Sequence, residues 1–295
     1  MKLLVEAFHG FCMALADSVP GVSGGTIAFI LGFYDQFIMS LNNIMSKDKE
    51  KRKQAFIFLI KLGIGWVIGM IFAVLILTSL FEKEIYKVSS LFIGFIIFSL
   101  PLIISEEKQS LKGKYHNIFF TIIGILIVSL ITYFNPISSS TNEINIAHMN
   151  IGLALYIFLC AMIAISAMVL PGISGSTLLL IFGLYIPIMS AIKEILHFNF
   201  RYLLPIIIFG LGVLTGIILV IRFIKIALEK YRSATIYMIL GLMIGSVYAI
   251  VMGPTTLDVP KDPMSFHTFS FIFFMIGGII ILGLQKTKEY MNKKN

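Results

Sequence analysis

The sequence predicts an all-α polytopic membrane protein built from two inverted-topology repeats of about five helical segments each. The first supporting observation is composition: of 295 residues, 58% are hydrophobic and only 13% are charged, against roughly 25% charged in ordinary soluble proteins. The second is a series of long apolar segments, and the third is a motif that occurs once in each half. A water-soluble globular protein is excluded, because too few polar residues remain to cover its surface.

Ten apolar segments follow one another along the chain, and each is predicted to be a helix in lipid. Most approach the roughly 20 residues that a helix needs to cross the hydrocarbon core. The predicted bounds are 3–18, 25–45, 56–80, 88–105, 117–134, 151–170, 176–196, 203–228, 234–253 and 268–284. The chain is therefore expected to enter the membrane many times.

The distribution of positive charge predicts which side of the membrane holds the termini. Most of the 23 Lys and Arg residues fall in connections on the side of the amino terminus, such as 47–53, 108–114, 222–232 and 286–294. Because cytoplasmic loops carry an excess of Lys and Arg, both termini are predicted to be cytoplasmic. The net charge of +8 then reflects topology, so membrane lipids are expected around the protein and no nucleic acid partner is predicted.

A seven-residue motif marks an internal repeat that covers nearly the whole chain. It reads Pro20-Gly21-Val22-Ser23-Gly24-Gly25-Thr26 and recurs 151 residues later as Pro171-Gly172-Ile173-Ser174-Gly175-Ser176-Thr177. Further along, Gly63, Gly65 and Gly69 match Gly210, Gly212 and Gly216 at an offset of 147. An odd number of segments per repeat inverts the second copy relative to the first, as in many secondary transporters. The predicted repeats are 1–147 and 148–295, within one membrane domain.

Each copy of the motif is predicted to interrupt a helix, because proline lacks an N–H group and glycine has a low helix propensity. Broken-helix hairpins are therefore expected at 3–45 and 151–196. Either both arms cross the membrane, or each hairpin is re-entrant and its tip stops midway. The short first arm, which carries Glu6, His9 and Asp17, favours re-entrant hairpins whose tips meet near the midplane, where irregular backbone must be buried in protein or line a wet cavity.

The two tips are predicted to form an anion-binding site. Helices beginning at Gly24 and Gly175 would present free N–H groups and a positive dipole end there, while nearby hydroxyls donate to anion oxygens. The residues assigned to the site are Pro20, Gly21, Ser23, Gly24, Gly25, Thr26, Pro171, Gly172, Ser174, Gly175, Ser176, Thr177 and Arg222. The alternative is that small residues at a break only permit tight helix packing.

Ionisable residues within or beside the apolar segments are expensive in lipid and are therefore functional candidates. Arg222 interrupts the run from 203 to 228 and would add a fixed planar charge to the anion site; alternatively it extends to the cytoplasmic headgroups. The candidate proton carriers are Glu6, His9, Asp17 and Asp35. Asp17 alternatively caps the broken backbone next to it.

Motifs of soluble catalysts are missing from the sequence. It contains neither a Walker phosphate-binding loop nor a metal-binding His-Glu pair of the HExxH kind, and its two cysteines lie inside apolar runs. No catalytic residue, metal site or cofactor is therefore predicted. Transport would run downhill or use a gradient, and the sequence leaves open whether H⁺ or Na⁺ is the coupling ion.

The segments 17–26 and 170–177, which carry the repeated motif, resemble the bacterial polyprenyl-phosphate transporter family, formerly a domain of unknown function. The resemblance spans essentially the full length. It implies a flippase for the lipid undecaprenyl phosphate, which returns the carrier from the outer to the cytoplasmic leaflet of the bacterial cell membrane for reuse in cell-wall, peptidoglycan and surface glycan synthesis. The implied activity involves no hydrolysis.

Two other function classes are compatible with parts of this pattern. Membrane undecaprenyl-diphosphate phosphatases also use paired re-entrant hairpins, with a Pro-Gly-x-Ser-Arg-Ser-Gly motif and paired glutamates. Here Gly24 and Gly175 occupy the position of their arginine, and the paired glutamates just upstream of the break are missing, which argues against that chemistry. A transporter of small anions, coupled to an ion, is the third class.

Overall fold

The computed structural model describes residues 2–17, 23–73, 78–134, 146, 149–196, 198–256 and 260–294. Across these residues, all regular secondary structure is helical. Six of the described helices are long and apolar enough to cross a membrane, and one bent pair of shorter helices would add a seventh. The prediction of an all-α polytopic membrane protein is confirmed.

Seven α-helices lie among the described residues of the first half of the chain. They are α1 (Lys2–Asp17), α2 (Gly24–Ile30), α3 (Tyr34–Asn43), α4 (Lys49–Phe72), α5 (Thr78–Glu106), α6 (Lys108–Leu111) and α7 (Ile118–Tyr133). The long helix α4 begins where the Asp48 carboxylate accepts hydrogen bonds from the N–H groups of Glu50 and Lys51, at 3.0 and 3.3 Å. Such a side-chain cap satisfies backbone donors that have no partner within the helix.

The second half repeats this order of helices, apart from the four-residue α6. Its helices are α8 (Ile151–Val169), α9 (Gly175–Ile181), α10 (Tyr185–Leu196), α11 (Leu203–Lys230), α12 (Arg232–Met252) and α13 (Phe271–Lys294). Each of the ten predicted segments overlaps a helix. The inverted orientation of the two halves, and the re-entrant depth of the hairpins, stay predictions because helix bounds do not fix either one.

Two predicted segments, 25–45 and 176–196, are each divided by a second bend that the sequence reading did not include. Helix α2 meets α3 at 119°, and a turn also separates α9 from α10. Gly32 and Gly183 lie at these turns with φ of 75° and 65°. A glycine in this left-handed conformation commonly ends a helix, because a side chain would be strained there.

Matching helices of the two halves pack in matching ways. Helix α1 packs against α4, and α8 packs against α11; α7 packs against α12, and α13 against α5. The last two contacts join one half to the other. In the first pair, Gly65 and Gly69 of α4 lie directly on the backbone of α1 at Ala7 and Phe11, so the helices approach more closely than larger side chains would allow.

Candidate functional site

The two predicted tips meet in the structure. Helix α1 ends at Asp17 and α2 begins at Gly24, while α8 ends at Val169 and α9 begins at Gly175. The Gly172 N–H group of the second tip donates a hydrogen bond to Thr26 Oγ1 of the first, at 2.7 Å. This contact, which we call the tip junction, joins residues 146 positions apart.

Two hydroxyl groups of the first tip organise the junction. Ser23 caps α2 by accepting a hydrogen bond from the Thr26 N–H group at 3.2 Å, and its Oγ donates to the Leu170 carbonyl at 3.3 Å. Ser23 and Thr26 are both 1% exposed. Buried hydroxyls of this kind are hydrogen-bonded, and here their bonds link the two halves of the chain.

Glycines allow the tip backbones to touch. A side chain at Gly25 would place its Cβ 2.8 Å from the Val169 carbonyl oxygen. At Gly172 a Cβ would collide with the backbone of Leu242 in α12, and Gly172 also has φ of +89°. The small residues predicted for ligand approach therefore serve helix packing at these two positions.

Asp17 occupies the end of α2 that was expected to face an anion. Its Oδ1 accepts a hydrogen bond from the Gly24 N–H group at 2.6 Å, and its Oδ2 accepts one from Trp66 Nε1 at 3.0 Å. The matching positions in the second half are Met168 and Val213, so only one half carries this carboxylate and its indole partner. Sequence reasoning found Asp17 but missed Trp66, although the lone tryptophan of the chain was a visible signal.

A cavity of about 280 Å³ lies beside the tip junction. Asp17, Gly24 and Gly25 line one part of it. The rest of the lining is almost entirely apolar and comes from α1, α3, α4, α8 and α11: Met13, Phe37, Leu41, Leu59, Leu62, Gly63, Trp66, Ile165, Met168, Val169 and Ile217. Among the described lining residues, Asp17 is the one with an ionisable side chain.

The remaining predicted residues of the second tip that the structure describes are buried or half-buried. Pro171, Ser174 and Gly175 are buried, and Thr177 is half-buried. The side chain of Ser176, and the whole of Pro20 and Gly21, lie outside the described residues.

Arg222 is exposed on α11, next to the 70% exposed Phe223, and is not among the cavity lining. The buried face of α11 carries Ile221 and Ile224 instead. The structure therefore does not bring Arg222 to the tips.

Three of the four candidate proton carriers contact side chains outside the cavity. Glu6 pairs with Lys61 of α4 at 2.9 Å. The His9 ring stacks on Phe33 with 4.2 Å between ring centroids. Asp35 pairs with Arg232, and Asp17 alone of the four lines the cavity.

An ion cluster at the start of α12 was not predicted from the sequence. Arg232 Nη1 donates to Asp35 at 2.8 Å, and Arg232 Nε donates to Glu107 at 3.0 Å, with a second contact from Nη2 to Glu107. Burial raises the pKa of Glu107, but hydrogen bonds from Arg232 and Ser110 and the Arg232 charge outweigh it and hold that pKa below its ordinary value. The cluster ties α3, the end of α5 and α12 together.

Replacing Arg232 with glutamine is expected to lower the thermal unfolding midpoint in detergent, because Glu107 would lose charge-assisted hydrogen bonds worth about 1.5–3 kcal/mol. Asp35→Asn should cost less, at most about 1 kcal/mol, since that pair is more exposed. The Glu107 contribution is present above its ordinary pKa of 4.5 and is lost as pH falls through its lowered value. The gap between wild type and Arg232→Gln should therefore close in acid.

The control for this prediction is Lys225→Gln. Lys225 lies 3.9 Å from the exposed Glu229 on the same helix, and exposed pairs of this kind contribute little. Equal midpoints for Arg232→Gln and Lys225→Gln would show that the cluster does not stabilise the fold.

Comparison with known proteins gives a consistent picture. The model of a family described as undecaprenyl phosphate translocase-like matches residues 13–268. A polyprenyl-phosphate transporter of Staphylococcus aureus is 36% identical over 286 residues, covering 95% of each chain. A polyprenyl-phosphate transporter of Vibrio cholerae is 31% identical over 322 aligned positions, covering 98% of each chain. No solved structure matches significantly.

Proposed function

The chain belongs to the undecaprenyl phosphate translocase-like family, and we propose that it transports polyprenyl phosphate across the bacterial cytoplasmic membrane. Both relatives named above are transporters rather than enzymes, as the lack of hydrolytic motifs predicted. The direction we propose is from the outer to the cytoplasmic leaflet, as a flippase that recycles the carrier for cell-wall and surface glycan synthesis.

The observation that carries this proposal is the tip junction beside an apolar cavity. A polyprenyl phosphate has a small anionic head and a long apolar chain, so it needs polar donors next to a lipid-like surface. The hydroxyls of Ser23 and Thr26 and the Gly172 N–H group would supply the polar part once their present hydrogen bonds open, and the cavity would supply the apolar part. Movement of one repeat against the other would expose the head to each leaflet in turn.

Binding of the head requires a rearrangement of the first tip. The N–H groups of Gly24 and Thr26 are already bonded to Asp17 and Ser23. A phosphate and the Asp17 carboxylate would repel each other in surroundings of low polarity. Asp17 must therefore bind a cation or move away when the head arrives.

This requirement makes Asp17 the candidate carboxylate for coupling, with H⁺ as the proposed ion and Na⁺ as the alternative. Glu6 and Asp35 already have basic partners, Lys61 and Arg232. Asp17 instead accepts hydrogen bonds from two uncharged N–H groups, so its charge has no cationic partner among the contacts described. A carboxylate in that setting exchanges a cation more readily than one in an ion pair.

The proposed function is tested with purified protein in lipid vesicles. Wild type should move undecaprenyl phosphate between leaflets, and the double variant Ser23→Ala/Ser174→Ala should be at least about tenfold slower, because each lost hydroxyl removes a donor worth about 1.5 kcal/mol or more to a charged group. Ser99→Ala/Ser246→Ala is the matched control. Those serines also lie one in each half, are each 1% exposed, and bond to Ile96 and Met243 within their own helices.

The same vesicles separate the other function classes. Release of inorganic phosphate from undecaprenyl diphosphate would indicate a phosphatase. Competition by free phosphate together with no movement of the lipid would indicate a small-anion transporter. Wild-type vesicles that leave the lipid in its original leaflet would overturn the proposed function.

A further inference from the structure

Three glycines recur in α4 and α11, and they do not all have the same surroundings. Gly65 and Gly69 lie on the backbone of α1, and their counterparts Gly212 and Gly216 lie on the backbone of α8, so a Cβ at any of them would collide with a neighbouring helix. The first glycine of each set, Gly63 or Gly210, differs. A Cβ there would meet nothing within 4 Å.

Helix packing therefore does not explain Gly63. A glycine inside a helix is about 1 kcal/mol less favourable than alanine, and Gly63 lies in the middle of α4, with no close neighbour that requires its small size. Its backbone instead forms part of the wall of the cavity beside the tip junction. An added Cβ at this point of the wall would meet open space.

The lining of the cavity combines polar groups of the tips with a larger apolar part. Asp17, Gly24 and Gly25 lie where it meets the tip junction, whereas Met13, Phe37, Leu59, Gly63, Ile165 and Ile217 give it an apolar wall from both halves of the chain. Most of this wall offers no hydrogen-bonding group. An occupant that fits would place an apolar chain against α4 and α11 and a polar group near Asp17.

We propose that the cavity at Gly63 binds the first isoprene units of the polyprenyl chain while the phosphate lies at the tip junction. This inference rests on the proposed function and adds to it a site for the chain as well as the head. The wall residues come from the first hairpin, α4, α8 and α11, so a prenyl chain in the cavity contacts both halves of the protein. Occupancy of the cavity by the chain would then select prenyl phosphates over free phosphate.

The test enlarges residue 63 in steps and measures leaflet exchange of undecaprenyl phosphate in vesicles. Gly63→Ala should retain wild-type transport, Gly63→Leu should be slower, and Gly63→Trp should be at least about tenfold slower. Gly283→Trp is the matched control, because Gly283 also has nothing within 4 Å of an added Cβ, yet it is exposed on α13 and is not part of the cavity lining. Its transport should equal that of wild type.

A competition measurement distinguishes binding of the prenyl chain from binding of the phosphate head. Geranyl phosphate should slow undecaprenyl phosphate transport by the wild type. Its inhibition constant should be at least about tenfold higher for Gly63→Leu than for wild type. Gly63→Leu also provides the test if Gly63→Trp does not fold. Inorganic phosphate should give the same inhibition constant in both proteins.

Wild-type rates in Gly63→Trp, or an unchanged geranyl phosphate constant in Gly63→Leu, would overturn the chain site and leave the proposed function intact; either result would fit a cavity that holds only bilayer acyl chains. Wild-type vesicles that move no undecaprenyl phosphate would overturn the proposed function, and the chain site with it.

Discussion

Vesicles containing the Asp17→Asn variant are expected to lose gradient-driven transport of polyprenyl phosphate while the protein stays folded. Asparagine has nearly the same shape as aspartate, so its amide oxygen can still accept the Gly24 N–H bond seen at 2.6 Å. It carries no charge and binds no exchangeable proton. If Asp17 is the coupling carboxylate, an imposed proton gradient should accelerate wild type and leave Asp17→Asn unchanged.

In the Asp17→Asn variant, the new amide NH₂ group would also face the Trp66 N–H group, donor against donor, and an unsatisfied buried donor costs about 1–3 kcal/mol. A lower unfolding midpoint in Asp17→Asn is therefore expected for structural reasons alone. Adding Trp66→Phe removes the indole N–H group that faces the new amide. The double variant should therefore unfold at a higher midpoint than Asp17→Asn, but it should still not respond to the proton gradient. Recovery of both would show that Asp17 acts only through the fold.

Asp48→Asn provides the matched control for loss of a carboxylate. Asp48 also accepts hydrogen bonds from two backbone N–H groups, but it lies exposed at the start of α4. Because asparagine caps a helix about as well as aspartate, this variant should keep its midpoint and its gradient response. Applying a sodium gradient instead of a proton gradient to the same vesicles identifies the coupling ion. A response of Asp17→Asn to either gradient would contradict the proposed role of Asp17.

The parts of the fold that local chemistry dictates were predictable from the sequence. A Pro-Gly pair followed closely by a further glycine combines a missing N–H group with low helix propensity, so the breaks before Gly24 and Gly175 follow from the motif itself. The turns at Gly32 and Gly183 were visible as repeated glycines, but a single glycine inside an apolar run is tolerated in many helices. The positive φ of Gly32 and of Gly183 becomes evident only in the structure.

Parts of the site that depend on long-range packing were not predictable. Arg232 and Glu107 are 125 residues apart, and each appeared from the sequence to be an ordinary loop charge. Arg222 lies in a segment that is apolar on all sides. The sequence therefore does not show which face of α11 packs against the protein, and Arg222 could equally face the tips or the outside. Trp66 likewise becomes informative only once α4 lies against α1 and brings its indole to Asp17.

Gly172→Ala is expected to be the most destabilising single substitution at the tips and to abolish transport. The φ of +89° strains any residue with a side chain, at about 1–3 kcal/mol. The added Cβ would also collide with the Leu242 backbone in α12, and backbone cannot rotate aside as a flexible side chain can. A shift of the Gly172 backbone that relieves this collision would move its N–H group away from Thr26 Oγ1, now at 2.7 Å, and so open the tip junction.

Gly113→Ala separates the two causes. Gly113 has a similar φ of +77°, yet an added Cβ there would meet nothing within 4 Å, so that variant carries the backbone strain without the collision. Its unfolding midpoint should fall modestly and its transport should match wild type, whereas Gly172→Ala should lose both stability and transport. Equal midpoints for the two alanine variants would mean that α12 yields to the new side chain. In that case, transport by Gly172→Ala would show whether the tip junction needs this close contact at all.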